Sequence, residues 1–212
     1  MNVICAVDIE TTGLDLLRDE ILQLAIVPLN LRSSQVLPDD VCEFRRPLNI
    51  RIKALMPERM SAEVRKITGL DPYEGLDVLD AKKAVNDWLR ENNIERVIPV
   101  GHNYTKFDGA FLRNSQVVKY DEVFSHHELD TLIIARFANL LYESRIKREK
   151  LRTCPTLGGK EEKRFQSLKL MDLAANLRVS QFATAGKPHD ALSDATIAGE
   201  IFFKLLELFD FK

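Results

Sequence analysis

The segment VICAVDIETTGL, residues 3–14, carries the strongest structural signal in this chain. It begins with a short apolar run rich in β-branched residues, which predicts a strand buried on both faces of a sheet. Asp8 and Glu10 follow at once, and because side chains on a strand alternate between its faces, both carboxylates should point the same way. Residues 11–13, Thr-Thr-Gly, then end the strand. Two acids are therefore expected at the carboxyl end of a buried strand, where open α/β sheets bind their ligands.

These two carboxylates admit two interpretations. Like charges on a buried strand repel each other and are costly to remove from water. A hard divalent cation with oxygen ligands would remove that cost, which predicts a metal site. Alternatively, both acids merely solvate the end of a strand, and the pair by itself does not decide between the two.

Size and charge limit the class of protein. With 212 residues, of which 45% are hydrophobic, the chain suits a single domain over residues 1–212 with a sizeable core. The formal net charge of −2 neither indicates nor excludes a nucleic-acid partner. A protein that grips only a few terminal nucleotides needs a local positive groove rather than a basic composition.

Cysteine usage and hydropathy bear on location. The three cysteines are odd in number and show no C-x-x-C spacing, which argues for a reducing compartment and against a disulfide framework or a thiolate zinc site. No basic segment followed by a long apolar run opens the chain, and no run approaches 18 apolar residues. We therefore expect a cytoplasmic protein without a membrane-spanning helix.

Hydrophobic periodicity predicts an α/β fold. Short gaps between the first three predicted strands favour antiparallel pairing, and the second strand should end near Pro28. Strands followed by alternating strands and helices indicate a mixed five-stranded sheet flanked by helices. We predict strands at 3–7, 20–29, 41–46, 97–100 and 128–130, and helices at 59–67, 78–89, 132–142, 167–177 and 190–209.

Residues 143–166 differ in composition, because lysine and arginine greatly outnumber acids in the first part of this segment. We interpret the segment as a long basic loop inserted into the domain. Two roles remain open for it: a solvated insertion, or a flap that grips phosphates.

Two further segments contain polar residues that require explanation, GHNYTKFD at 101–108 and HDALSD at 189–194. Each has an ordinary explanation. Thr105 and Asp108 are spaced like a helix capping box, and Asp190 could complement a helix dipole. Asp194 would be unremarkable as an exposed acid early in a helix, and His189 as a loop residue.

In order along the chain, Asp-x-Glu-Thr-Thr-Gly, His-Asn with Phe-Asp, and His-x4-Asp resemble the motifs of the DEDDh exonucleases, which include the proofreading subunits of bacterial replicative polymerases. Shorter matches at 67–70, ITGL, and 130–132, DTL, extend the resemblance over nearly the full length. The resemblance implies an RNase H-like fold. It also implies a site with two Mg²⁺ or Mn²⁺ ions.

The resemblance assigns a role to each motif residue. His189 would be the general base, and Leu14 an apolar wedge beside the last base of the substrate. The metal-binding acids would be Asp8, Glu10, Asp108 and Asp194. The substrate contacts would be Thr11, Thr12, Gly13, Leu14, His102, Asn103 and Phe107.

One departure from the family pattern concerns the second motif. Three residues, Tyr104, Thr105 and Lys106, separate Asn103 from Phe107, where proofreading subunits usually have two. The longer spacing weakens the interpretation as a proofreading subunit more than the interpretation as a nuclease. Tyr104 is the aromatic residue that we consider for stacking on a nucleotide.

The expected function is metal-dependent 3′→5′ hydrolysis of single-stranded or frayed DNA ends, releasing nucleoside 5′-monophosphates. The imidazole of His189 could take the proton from the attacking water. Asp194, five residues later, would lie about 140° around a helix, so His189 should occupy the loop before that helix. Alternatives are an exonuclease acting on RNA or short oligonucleotides, and a silent nucleic-acid-binding module. A stand-alone monomer, a homodimer and a polymerase partner all remain open.

Overall fold

The computed structural model describes residues 1–30, 35–36, 46–153, 164–179 and 189–209. The strands are β1 Asn2–Thr11, β2 Ile21–Asn30, β3 Gln35–Val36, β4 Leu48–Arg51, β5 Arg96–Gly101 and β6 Leu129–Asp130. A 3₁₀ turn covers Pro57–Arg59. The helices are α1 Ala62–Thr68, α2 Val78–Glu91, α3 Asp108–Asn114, α4 Tyr120–Val123, α5 Thr131–Thr153, α6 Leu170–Asn176 and α7 Ala191–Glu207.

The sheet is mixed, as predicted, with β1 at its centre. Its order is β3-β2-β1-β5-β6, and β4 pairs with β2 on the same edge as β3. β1 is antiparallel to β2 and parallel to β5, which is parallel to β6. The sheet thus has five strand positions, the outermost of which is divided between the short strands β3 and β4. The predicted strand at 41–46 lies outside the described residues except for Arg46, which is not in a strand.

Both faces of β1 are covered, which explains its apolar sequence. On one face, alternate residues such as Cys5 and Val7 pack against α2 and α3, where Trp88 and Phe111 contribute large side chains. On the other face, Ala6 and its neighbours pack against α7. Side-chain alternation continues the row of Ala6 into the two acids, so these acids lie on the face that α7 covers.

The position of Pro28 differs from the sequence-based expectation. It lies inside β2 opposite Cys5 rather than at the end of the strand. On the outer edge of β2, β4 pairs with residues 23–26 and β3 with residues 29–30. On the outer edge of β2, Pro28 therefore falls between the two partner strands, a position that sheets allow to proline.

The basic segment is not a loop throughout, because α5 continues to Thr153. The prediction of a loop over 143–153 is wrong. Lysine, arginine, glutamate and leucine are good helix formers. No proline or glycine occurs from residue 131 to residue 154, so nothing breaks the helix before Pro155. Residues 154–163 lie outside the described part of the chain, and whether the segment is an insertion stays a prediction.

Side chains cap the starts of two helices. The hydroxyl oxygen of Ser61 accepts a hydrogen bond from the Val64 N–H at 3.1 Å at the start of α1. The Asp130 carboxylate accepts one from the Leu132 N–H at 2.9 Å at the start of α5. Each bond satisfies a backbone donor that has no partner within the helix. In the part of the chain that the structure describes, no helix combines the length and apolar character needed to cross a lipid bilayer.

Candidate active site

A cavity of about 510 Å³ opens at the carboxyl end of β1. Residues from all three sequence motifs line it, although they lie far apart in the chain. Of the predicted site residues, those at the cavity are Asp8, Glu10, Thr11, Gly13, Leu14, His102, Asn103, Phe107, Asp108, His189 and Asp194.

Asp108 is bonded to β1 rather than to its own helix. β5 pairs with β1 only as far as Ala6, so the Ile9 N–H lies beyond the end of that ladder. The Asp108 carboxylate accepts a hydrogen bond from this N–H at 3.1 Å. The first residue before α3 is Phe107, which makes no side-chain capping bond. The capping-box interpretation of Asp108 is therefore wrong, and its carboxylate lies in a buried position next to the acids of β1.

The third motif joins the site through the start of α7. Asp194 lies in the first turn of this helix, and His189 directly precedes its N-cap residue, as the spacing predicted. His189 adopts a left-handed backbone conformation with φ of 62°. One ligand atom from each of Glu10, His189 and Asp194 lies within 4.8 Å of the others. These three side chains could therefore hold one metal ion.

Burial and nearby carboxylates raise the pKa of each of the four acids. Burial has the largest effect on Glu10, and with the nearby charges of Asp194 and Asp108 it raises the Glu10 pKa to about 8. Burial likewise raises the pKa of Asp108 to about 7 and that of Asp194 to about 6. The pKa of Asp8 is raised by burial and by Asp108, Asp194 and Glu10. Hard divalent cations would relieve this repulsion, so the donor set fits Mg²⁺ or Mn²⁺.

The turn after β1 forms one wall of the cavity. A side chain at Gly13 would collide with the Asp19 carboxylate, so only glycine fits there without a shift. That carboxylate accepts a bond from the Thr12 hydroxyl at 3.1 Å, and the hydroxyl in turn accepts one from the Glu20 N–H at 2.9 Å. Thr12 thus stabilises the turn and does not line the cavity, whereas Leu14 does and is 82% exposed.

The opposite wall comes from the second motif. The His102 ring bridges the Thr131 hydroxyl and the Leu168 carbonyl, both at 2.9 Å. Because a carbonyl only accepts, Nε2 carries the hydrogen, and burial lowers the pKa of this imidazole. Asn103 has a φ of 64°, and its N–H donates to Asp130 at 3.1 Å. Asp130, which also caps α5, therefore fixes this turn.

Tyr104 does not face the cavity. It is fully buried, at 0% exposed, and its hydroxyl lies 3.3 Å from that of Tyr120. The prediction that Tyr104 stacks on a nucleotide is wrong, because this ring lies in the hydrophobic core.

Sequence reasoning missed a third wall, formed by α1. The cavity residues on this helix are Glu63, Val64, Ile67 and Thr68. The ITGL match at 67–70 indicated that this segment belongs to the family pattern. The match alone did not show that the helix lies beside the acids.

A model of a family described as exonuclease matches residues 5–202, nearly the whole chain. The chain belongs to the exonuclease family. Ribonuclease T of Haemophilus ducreyi is 28% identical to this exonuclease-family chain over 116 residues, which cover 50% of the chain and 51% of that protein. The chain spans about half the length of the curated relatives it matches. The predicted resemblance to DEDDh exonucleases is confirmed.

Solved exonuclease structures share the fold. Exonuclease I of E. coli in complex with a dT13 oligonucleotide is similar over 99% of this chain and 43% of its own, with a TM-score of 0.64 and 16% identity. A 3′-exonuclease from a structure on 3′-end-specific recognition of a histone mRNA stem-loop is similar over 96% of this chain and 81% of its own, with a TM-score of 0.57 and 14% identity. These likenesses confirm the predicted RNase H-like α/β architecture.

Proposed function

We propose that this protein is a metal-dependent 3′→5′ exonuclease that removes nucleoside 5′-monophosphates from single-stranded or frayed DNA ends. The observation that carries the proposal is the convergence of three distant motifs on one cavity. There the Glu10, Asp194 and His189 ligand atoms lie within 4.8 Å of one another, with Asp8 and Asp108 beside them.

The acids would hold two divalent cations, Mg²⁺ or Mn²⁺. When bound, two such ions activate a water molecule and neutralise the charge that develops on the leaving 3′ oxygen. Asp8, Glu10 and Asp194 lie on the facing surfaces of β1 and α7, and Asp108 reaches the same place from α3. All four have raised pKa values, mainly through burial, so bound cations would stabilise their charged forms.

His189 would take the proton from the attacking water. Its side chain is exposed at the cavity, so it can reach a water on the open side of the acids. The charge of His189 lowers the pKa of Asp194, which places the two groups in direct electrostatic contact. A neighbouring carboxylate stabilises the imidazolium that forms when a histidine accepts a proton.

The walls of the cavity suit the end of a strand. A volume of about 510 Å³ is within the range of small-ligand sites and can admit a terminal nucleotide. Leu14 and Ile67 offer exposed apolar surface for a base, and Asn103 offers a polar side chain. We propose Thr11, Gly13, Leu14, His102, Asn103 and Phe107 as substrate-binding residues, with Thr12 supporting their turn.

RNA 3′ ends are the second candidate substrate. The curated relatives are named ribonuclease T, and the chemistry at the phosphodiester is the same for both sugars. The presence of all five expected side chains counts against a silent binding module. For the whole protein we propose a stand-alone enzyme in the cytoplasm. The odd number of cysteines supports the reducing compartment.

A time course on 5′-labelled single-stranded DNA and RNA of one sequence, with Mg²⁺, tests this proposal. We expect a ladder of shortened labelled products, faster on DNA, and no cleavage in EDTA until Mg²⁺ is restored. Circular single-stranded DNA is the matched control, because an exonuclease cannot begin on a strand without an end. Immediate release of a labelled mononucleotide would show the opposite polarity, and cleavage of the circle would show an endonuclease.

A further inference from the structure

Gln23 is a buried amide beside the site that belongs to none of the three motifs. It lies on β2 directly opposite Glu10 and is 1% exposed. Residues directly opposite each other in an antiparallel pair project from the same face, so its side chain lies on the face that α7 covers. A buried amide needs hydrogen-bond partners, and these partners show what it holds in place.

Both ends of the Gln23 amide are bonded. Its Nε2 donates to the Asn49 side-chain oxygen at 2.9 Å and to Oδ1 of Asp190 at 2.9 Å. Its Oε1 accepts a bond from the Ala191 N–H at 3.3 Å. The partners fix the orientation of the amide, because a carboxylate only accepts and a backbone N–H only donates. Gln23 therefore connects the sheet to the first residues of α7.

The two carboxylate oxygens of Asp190 make different hydrogen bonds. Its Oδ2 accepts bonds from the N–H and the hydroxyl of Ser193, at 3.1 and 3.0 Å, and so caps α7. Its Oδ1 is held by Gln23. The cap alone leaves this carboxylate free to tilt with the end of the helix. The bond to Gln23 ties it to β2, next to Glu10.

The residue next to this connection in the chain is His189. It directly precedes Asp190, is exposed, and has a φ of 62°. A non-glycine residue keeps a left-handed conformation only where its surroundings hold it there. The His189 backbone forms a hydrogen bond with the Asp194 carboxylate, and the next residue in the chain, Asp190, is held by Gln23.

We propose that Gln23 is a positioning residue, which holds the His189 imidazole against Glu10 and Asp194 through Asp190. The inference rests on the proposed function, in which His189 is the general base. An amide suits the task because it supplies donors without a charge. A cation at position 23 would compete with the metal ions, and a carboxylate would add to the repulsion among the acids.

A double-mutant cycle tests the proposal. Gln23→Met keeps the length of the side chain and removes its hydrogen bonds. We expect this variant to lower kcat by about 10- to 100-fold with little change in KM, as a displaced catalytic group does. In a His189→Ala background the same substitution should cost nothing further, because its target is already gone. An equal loss in both backgrounds, or full activity of Gln23→Met, would overturn the proposal.

The matched control is Asn139→Leu, which also removes a buried amide. Asn139 bonds the backbone of Phe165 at 2.8 and 3.0 Å and does not line the cavity. We expect it to lower thermal stability while leaving kcat at the level of the original protein. If Asn139→Leu slowed the reaction as much as Gln23→Met, the effect of Gln23 would be general destabilisation, and the proposal would be wrong.

A second readout needs no activity. Mn²⁺ added alone should broaden the NMR signal of the His189 Cε1–H, assigned by its loss in His189→Ala. In Gln23→Met this broadening should fall severalfold while Mn²⁺ affinity stays the same. Equal broadening in both proteins refutes the positioning role, even if no nuclease activity is found. Conversely, a fully active His189→Ala variant refutes the base assignment and leaves the NMR result to decide whether Gln23 holds the ring.

Discussion

The acids of β1 and the imidazole of His189 meet in one cavity but are held there in very different ways. Asp8 and Glu10 belong to a ten-residue strand at the centre of the sheet, paired along its length with β2. His189 is an exposed turn residue with a left-handed backbone, and it is restrained by a hydrogen bond from its backbone to Asp194 and by its neighbour Asp190, which Gln23 holds. The strand acids, for which we propose metal binding, are thus part of the core, whereas His189, the proposed proton acceptor, depends on a few hydrogen bonds.

This difference separates two kinds of cost. The ionised strand acids destabilise the folded protein, because they are buried and repel each other, and their raised pKa values reflect this. The cost of His189 to folding stability comes from its left-handed backbone conformation. Substitutions in both halves should therefore lower activity, but only the removal of a buried acid should also change stability.

The largest effect is expected from Asp8→Asn. This change keeps the shape and removes a charge that the proposed metal ions need, so cleavage of labelled DNA should fall to background. Thermal stability measured in EDTA should rise, because one of four repelling carboxylates is gone. Asp121→Asn, an exposed acid on α4, is the control and should leave both values unchanged. Normal turnover by Asp8→Asn would remove this residue from the site.

A smaller loss is expected from His189→Ala, about 10² to 10⁴ in kcat, as is usual when a general base is removed. Because the side chain is exposed, its melting temperature should match that of the original protein. His126→Ala, which removes an exposed histidine outside the cavity, is the control. An unchanged single-turnover rate in His189→Ala would show that His189 is not the general base.

The smallest effect is a dependence of stability on pH. The folded-state pKa values of Asp194, Asp108 and Glu10 are about 6, 7 and 8, all above their ordinary values. The folded protein then binds more protons than the unfolded chain between about pH 4 and pH 8, so stability falls as pH rises through that window. In EDTA, we expect the melting temperature to drop by several degrees over this range.

Metal ions should reverse this trend. Added Mg²⁺ binds the ionised carboxylates, so it should raise the melting temperature more at about pH 8 than at about pH 5. The Asp8→Asn variant should show a shallower decline in EDTA. A melting temperature that stays level from pH 5 to pH 8 without metal would mean that the acids do not share one buried environment.

Local sequence patterns predicted much of this arrangement. The apolar run before Asp8 gave the central strand, and the five-residue spacing from His189 to Asp194 placed the histidine on the turn before α7. The prediction failed where a residue had two suitable local roles. Asp108 fits a capping box in sequence but bonds Ile9 on β1, and Tyr104 fits an exposed turn but lies in the core.

The sequence by itself determined which residue types could bind metal and where most of the central strands and the helices would form, because both follow from local spacing and motif identity. Only the tertiary structure showed that α1 forms a wall of the cavity and that Gln23 reaches Asp190, 167 residues away in the chain. Contacts of this kind depend on strand register and helix packing. No pattern within a short stretch of sequence specifies either of them.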